Sequence, residues 1–143
     1  MAKPKETDLY PPVKKLLEDQ GYEVKSEIGA ADVVAMRGDE PPVIVELKAG
    51  FSLSLFHQAI DRLAIADTVY VAVPRGKGRL FLSSLKSNLK LCRRLGLGLI
   101  TVRLEDGFTE IHLDPGPYVP RRNKAKPARL LREFRSEEHT SEL

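Results

Sequence analysis

The sequence has one cysteine, Cys92, among its 143 residues. A single cysteine excludes an intramolecular disulfide framework and a thiolate metal cluster. No hydrophobic run approaches the roughly 20 residues that cross a bilayer, and the polar start, Met1 to Asp8, lacks the apolar stretch of a secretory signal. These absences predict a protein with no membrane partner, and a cytoplasmic location is the default.

The rest of the composition is that of an ordinary globular protein, with 42% hydrophobic and 30% charged residues. A chain of this length is most simply one domain with its own core. The net charge is a mild +3.

The last nine residues, Arg135 to Leu143, match the translation of a sequencing-library adapter, AGATCGGAAGAGCACACGTCTGAACTC, at every position. We therefore interpret 135–143 as adapter sequence fused to a truncated reading frame, and expect native sequence to continue beyond Phe134. Without its one arginine and three glutamates, the chain has 22 basic and 17 acidic residues, a net charge of +5.

Hydrophobic periodicity predicts an α/β protein with the element order α-β-β-β-α-β-α-β-β. We expect a central mixed sheet of about five strands flanked by helices. The predicted helices are 8–20, 52–66 and 85–95, and the predicted strands are 22–28, 31–36, 43–48, 68–73, 98–104 and 108–113. The strand-helix-strand unit from Val43 to Val73 forms one right-handed crossover.

Two charges interrupt the third predicted strand, Val43-Ile44-Val45-Glu46-Leu47-Lys48. Buried strands seldom carry charge, because an unpaired charge out of water is costly. Side chains alternate across a strand, so Glu46 and Lys48 project from the same face. An acid beside an ammonium group on a core strand indicates a metal site with a cationic helper.

The preceding strand brings a second carboxylate to this place. If the turn is 38–42, the numbers of paired residues sum to 80. Asp32 then lies opposite Lys48 and diagonal to Glu46, whose backbone is roughly 7–8 Å away. A one-residue slip would move Asp32 to the other face. Two carboxylates, a backbone carbonyl and water suit Mg²⁺, and Lys48 can then hold water or stabilise charge on a phosphate.

Asp32 followed by Glu46-Leu47-Lys48 resembles the PD-(D/E)XK nuclease motif, with Ala31 at the position of its proline. The resemblance implies a restriction-endonuclease-like core, which has the same element order. Gln58, with Arg62, resembles the glutamine element of several branches of that superfamily.

An acidic residue on the first helix usually completes such a site. We assign Glu6, and Asp8 and Glu18 are its rivals.

Four further segments are similar to a bacterial family of unknown function that is described as PD-(D/E)XK-type phosphodiesterases. They are Lys5-Glu6-Thr7-Asp8-Leu9-Tyr10-Pro11-Pro12-Val13, Gly21-Tyr22-Glu23-Val24, Asp32-Val33-Val34-Ala35 and Val69-Tyr70-Val71-Ala72-Val73-Pro74. The resemblance covers about Ala2 to Phe134. Ala49-Gly50 departs from the Leu-Ala-like pair more usual there.

The resemblance implies a metal-dependent phosphodiesterase, a nuclease that hydrolyses nucleic acid, DNA above all. Its catalytic residues would be Asp32, Glu46, Lys48, Gln58 and Glu6, with Asp32 and Glu46 on Mg²⁺ or Mn²⁺. Many nucleases of this fold cut as dimers, so a homodimer is one possibility, and the sequence leaves the oligomeric state open. The fold also hosts binding-only members, so a catalytically inactive nucleic-acid-binding module is the alternative, and a structural partner in a larger assembly is a third.

Each site residue also has a plain structural interpretation. Asp32 would cap a turn, Glu46 and Lys48 would form an ion pair, Gln58 would lie on a helix surface, and Arg62 would pair with a nearby aspartate. Cys92 is predicted to be a core residue.

We divide the chain into a nuclease-like domain (1–118), a basic tail or linker to a missing C-terminal part (119–134) and the adapter segment (135–143). The tail carries Arg121, Arg122, Lys124 and Lys126, which suit a nucleic-acid backbone. A solvated linker, with a helix from Ala128, is the other interpretation. The sequence leaves open DNA against RNA, endo- against exonuclease action, specificity and pathway.

Overall fold

The computed structural model describes residues 6–29, 31–120 and 125–136, which alternate helices and strands in the predicted order. The strands are β1 (Glu23–Ile28), β2 (Ala31–Met36), β3 (Val43–Leu47), β4 (Thr68–Pro74), β5 (Gly98–Arg103) and β6 (Phe108–Leu113). The helices are α1 (Glu6–Glu18), α2 (Leu53–Arg62), α3 (Gly78–Leu95) and α4 (Ala125–Arg135). The predicted class, an α/β protein with helices flanking a mixed sheet, is confirmed.

The sheet has six strands in the order β1-β2-β3-β4-β5-β6, one more than the five expected. The central strands β3, β4 and β5 are parallel and are joined by the crossover helices α2 and α3. The other three pairings, β1 with β2, β2 with β3 and β5 with β6, are antiparallel. Strands covered on both faces read as continuous hydrophobic runs, which is why β3 to β5 are so apolar.

Helices cover both faces of the sheet. On one face, α1 packs Leu9 and Val13 against the sheet residue Val45. On the other face, α2 and α3 bury Phe56 and Cys92 in a second cluster. Cys92 is fully buried, as predicted for a core residue.

The pairing of β2 with β3 corrects the expected register. The observed pairs, such as Ala35 with Val43, sum to 78 rather than 80, which places Asp32 opposite Glu46 instead of Lys48. The connection is longer than a five-residue turn and includes Arg37, whose guanidinium donates to Glu40 and to the carbonyl of Gln20. The shift of two residues leaves Asp32 and Glu46 on the same face, as expected, whereas the Lys48 side chain reaches Glu6 on the other face.

Three helices begin earlier than predicted, and the first of them, α1, begins at Glu6 rather than residue 8. The third helix begins at Gly78 rather than residue 85, and α4 begins at Ala125 rather than Ala128. Every residue of α4 is exposed, including Lys126, while the other tail residues assigned to nucleic acid (Arg121, Arg122 and Lys124) lie outside the described residues. Within the described part of the chain, no helix has both the length and the hydropathy needed to cross a membrane.

Candidate active site

Glu46 is a buried acid in the middle of the sheet. Only 1% of its side chain is exposed, and its Oε1 accepts a hydrogen bond of 2.5 Å from Nε of Arg62, which α2 supplies from the face above. A buried charge is tolerated when it is paired and hydrogen-bonded. The ion pair therefore explains how a carboxylate can occupy a core strand.

Asp32 lies beside Glu46 where β2 and β3 stop pairing. Its Oδ2 accepts a hydrogen bond of 2.9 Å from the amide of Leu47, and its own amide lies 3.3 Å from Oε2 of Glu46. The Asp32 carboxylate thus takes the place of a strand carbonyl and is fixed by the backbone of β3. The hydrogen bond from the Leu47 amide therefore fixes the position of the Asp32 carboxylate.

The two carboxylates are close enough to affect each other. Burial raises the pKa of Glu46 to about 7, the neighbouring Asp32 carboxylate adds to the rise, and the Arg62 guanidinium opposes it. A like charge nearby disfavours ionisation of the Glu46 carboxyl. The pair therefore carries negative charge that a single guanidinium does not fully balance.

Lys48 follows the last residue of β3, and its amide still donates to the carbonyl of Ala72 at 3.1 Å. Its ammonium lies 3.6 Å from Oε1 of Glu6, at the start of α1 on the opposite face from α2. The long side chain can reach that face because β2 and β3 have separated by this point. The site therefore spans the end of the sheet instead of lying on one face.

The contact with Lys48 supports the assignment of Glu6, whose Oε1 lies within salt-bridge distance of the ammonium. Of the two rivals, Glu18 lies at the far end of α1, about 18 Å along the helix axis from Glu6.

The helix α2 presents both Gln58 and Arg62. Its start is fixed by Ser52, whose Oγ accepts a hydrogen bond of 3.2 Å from the amide of Leu55. Gln58 is half-buried and lies one turn before Arg62, so both share a helix face. Arg62 contacts Glu46 directly, whereas the structure gives Gln58 no contact with the two carboxylates.

A groove of about 300 Å³ opens beside Asp32 between α1 and the β1–β2 hairpin. It is lined by Glu6, Thr7, Tyr10, Ser26, Glu27, Asp32 and Leu47. Glu27 has a φ of 55°, a left-handed conformation that is uncommon outside glycine and is frequent at functional sites.

Sequence reasoning grouped Arg62 with Gln58 but gave it no role toward Glu46, and it did not assign Glu27 to the site. The four-residue spacing from Gln58 was a usable signal for Arg62, while nothing in the sequence singled out Glu27.

Two acids, rather than three, are available for a cation. Among residues 6–29, 31–120 and 125–136, no cluster of three or more acidic, histidine or cysteine side chains is arranged to hold a metal. Magnesium and manganese accept such a sparse donor set, because they retain several waters. The excess negative charge on Asp32 and Glu46 fits a divalent cation.

Comparisons with known proteins give only remote likenesses. No protein-family model and no curated protein matches the sequence. An XisH family protein from Nostoc punctiforme PCC 73102 is 18% identical over 76% of this chain and 99% of its own, with a TM-score of 0.46. An fdxN element excision controlling factor protein from Anabaena variabilis is 17% identical over 77% of this chain and 99% of its own, also with a TM-score of 0.46. At these values neither likeness assigns a role to the chain.

Proposed function

We propose that the chain is a metal-dependent phosphodiesterase of PD-(D/E)XK type that hydrolyses nucleic acid, with DNA as the first candidate. The observation that carries the proposal is the pairing of Asp32 with the buried Glu46 at the end of β3, two residues before Lys48. A structural ion pair of Glu46 with Arg62 alone would not require a second carboxylate there.

The metal ligands would be Asp32 and Glu46, completed by water and a backbone carbonyl. When bound, Mg²⁺ or Mn²⁺ supplies Lewis-acid stabilisation of the charge on a phosphate. Burial keeps Glu46 in one orientation, and the hydrogen bond from the Leu47 amide does the same for Asp32. Their oxygens are thereby held ready without a cost in side-chain entropy at the moment of binding.

The role of Lys48 is to hold the attacking water and to stabilise negative charge on the phosphate. Its ammonium carries three donors, and the contact with Glu6 keeps it at the end of the sheet. Glu6 is thus a positioning residue for Lys48. Arg62 is likewise a positioning residue for Glu46. Gln58, one turn before Arg62 on α2, would support the water.

The alternative is a catalytically inactive nucleic-acid-binding module of the same fold. The observation that favours it is the short contact of Arg62 with Glu46, which already provides that carboxylate with a cation. Such a module would bind DNA equally well without divalent metal. Homodimer formation and a cytoplasmic location remain predictions.

The test runs two assays on the full chain in parallel. Cleavage of single-stranded and duplex DNA and of RNA is followed with Mg²⁺, with Mn²⁺ and with chelator, while a gel shift in chelator measures binding. The phosphodiesterase produces shortened fragments only with metal. Binding in chelator combined with intact substrate in every metal would contradict hydrolysis and support the inactive module.

Divalent metal should raise the melting temperature of the wild-type protein. A ligand at a hundred times its dissociation constant stabilises the folded state by about 2.7 kcal/mol. Glu46→Gln should lose this metal-induced shift, yet in chelator it should be at least as stable as the wild type. The reason is that the amide removes repulsion with Asp32 and still accepts a hydrogen bond from Arg62. Differential scanning fluorimetry with and without Mn²⁺ measures both effects.

The matched control for this experiment is Glu23→Gln, the same change at an exposed position of β1. It should keep the full metal-induced shift. A wild-type shift that persists in Glu46→Gln would place the metal elsewhere.

A further inference from the structure

The helix α3 presents an unbroken basic face to solvent. Its 18 residues include no aspartate or glutamate. Its five cationic residues are all exposed, and they are Arg79, Lys86, Lys90, Arg93 and Arg94. We call these five side chains the α3 basic stripe.

The stripe is straight because of its spacing. Successive cations are separated by seven, four, three and one residues. At about 100° per residue, all five therefore fall within roughly 100° of the helix circumference. From Arg79 to Arg94 the stripe runs about 22 Å along the axis. The opposite side of the helix packs Leu85, Leu89 and Cys92 onto the sheet, so the stripe must face outward.

Salt bridges among the described residues leave the charge of the stripe unbalanced. None of its members forms a salt bridge with a described residue. By contrast, Arg75 and Lys77, just before the helix, pair with Glu110 and Glu105. Neighbouring cations without acidic partners repel one another. An anionic polymer bound along the row relieves this repulsion.

The far end of the stripe borders a cavity with an aromatic residue. Lys90, Arg93 and Arg94 line this cavity of about 650 Å³ together with Tyr118. The guanidinium of Arg94 lies 4.3 Å from the centre of the Tyr118 ring. Cations beside an aromatic ring, next to a space of this size, suit unpaired bases and their phosphates.

The near end of the stripe lies toward the candidate active site. Phe81, in the first turn of α3, stacks on Phe51 at 6.4 Å, three residues after Lys48. A groove of about 440 Å³ lies between these two segments. The stripe therefore leads away from the end of the sheet that carries Lys48.

We propose that the α3 basic stripe binds the phosphate backbone of single-stranded nucleic acid and aligns it with the site at Lys48. The inference takes the class of ligand from the proposed function, but it does not depend on hydrolysis. It adds a binding surface to the basic tail predicted from the sequence. The unpaired charge and the aromatic cavity favour a single strand over a duplex, whose bases are already stacked.

Fluorescence anisotropy in chelator tests the proposal on the full chain, with a labelled single strand long enough to span α3. Lys86→Ala/Lys90→Ala should weaken binding about tenfold at low salt. It should also reduce the slope of log affinity against log salt by about 1.4, since each phosphate contact on a single strand contributes about 0.7.

Lys15→Ala/Lys25→Ala is the matched control. It removes the same charge from α1 and β1, where both lysines are exposed and pair with local acids. This variant should bind like the wild type. If both double variants bound the single strand equally weakly, the loss of affinity would come from net charge alone. The assignment of the stripe would then be wrong.

Binding of the wild type and of the stripe variant is also measured with a DNA duplex and with phosphatidylserine vesicles. Binding through the stripe to duplex alone, or to vesicles in place of the oligonucleotide, would also overturn the proposal. A chain that binds single strands through α3 yet cleaves nothing contradicts only the proposed function. If the protein cleaves DNA and the Lys86→Ala/Lys90→Ala variant binds single strands like the wild type, only the inference is contradicted.

Discussion

Lys48→Ala should lower the rate of metal-dependent DNA cleavage by about 10²–10³-fold, because it removes a donor to charge that develops on the phosphate. The protein should remain folded. Lys48 lies after the end of β3, and its side chain and that of its partner Glu6 are 26% and 48% exposed. Ion pairs with this much solvent access contribute little to stability.

Single-turnover cleavage with saturating Mg²⁺ is the appropriate measurement, since it isolates the chemical step from product release. Lys25→Ala, an exposed lysine on β1, is the control and should cleave at the wild-type rate. Circular dichroism of each variant establishes that the fold is retained. A Lys48→Ala protein that is folded and cleaves normally would remove Lys48 from the mechanism.

At a pH well above 7, where Glu46 is ionised, Arg62→Met should lower the free energy of unfolding by about 3–5 kcal/mol, the cost of breaking a buried ion pair by removing one partner. The reason is the environment of Glu46, which is 1% exposed and already faces the Asp32 carboxylate. Without the guanidinium, Glu46 must either become protonated or draw water into the core. Urea unfolding in chelator measures the change.

The double variant Glu46→Gln/Arg62→Met provides the decisive comparison. Neutralising Glu46 removes the charge that needed a partner, so most of the lost stability should return. The single and double variants form a double-mutant cycle. Its coupling energy measures how far the contribution of each side chain to stability depends on the other. If the double variant is as unstable as Arg62→Met alone, the loss comes from packing of the arginine stem and not from its charge.

The sequence was sufficient to predict where the two carboxylates lie. Charges are rare on an apolar strand, so Glu46 stood out, and two-residue alternation put Asp32 and Glu46 on the same side of neighbouring strands. Alternation survives any register shift of two residues, which is why an incorrect pairing sum still brought the correct residues together.

The details that the sequence did not predict depend on tertiary contacts. In the β2–β3 connection, for example, Arg37 donates to the carbonyl of Gln20 on a different part of the chain. Arg62 had aspartates nearby in sequence, but the fold brings it to Glu46, sixteen residues away. The first two turns of α3 were missed because the glycines at 76 and 78 resemble a loop and few of the following side chains are buried.

The central claim is that Asp32 and Glu46 hold a divalent cation for phosphodiester hydrolysis. It is tested most directly by the initial rate of DNA cleavage as a function of Mg²⁺ concentration, for the wild-type protein and for Asp32→Asn. The account predicts no cleavage in chelator, a saturable rise with Mg²⁺ in the wild type and no rise in Asp32→Asn. Cleavage in chelator, or the same Mg²⁺ dependence in both proteins, would contradict it.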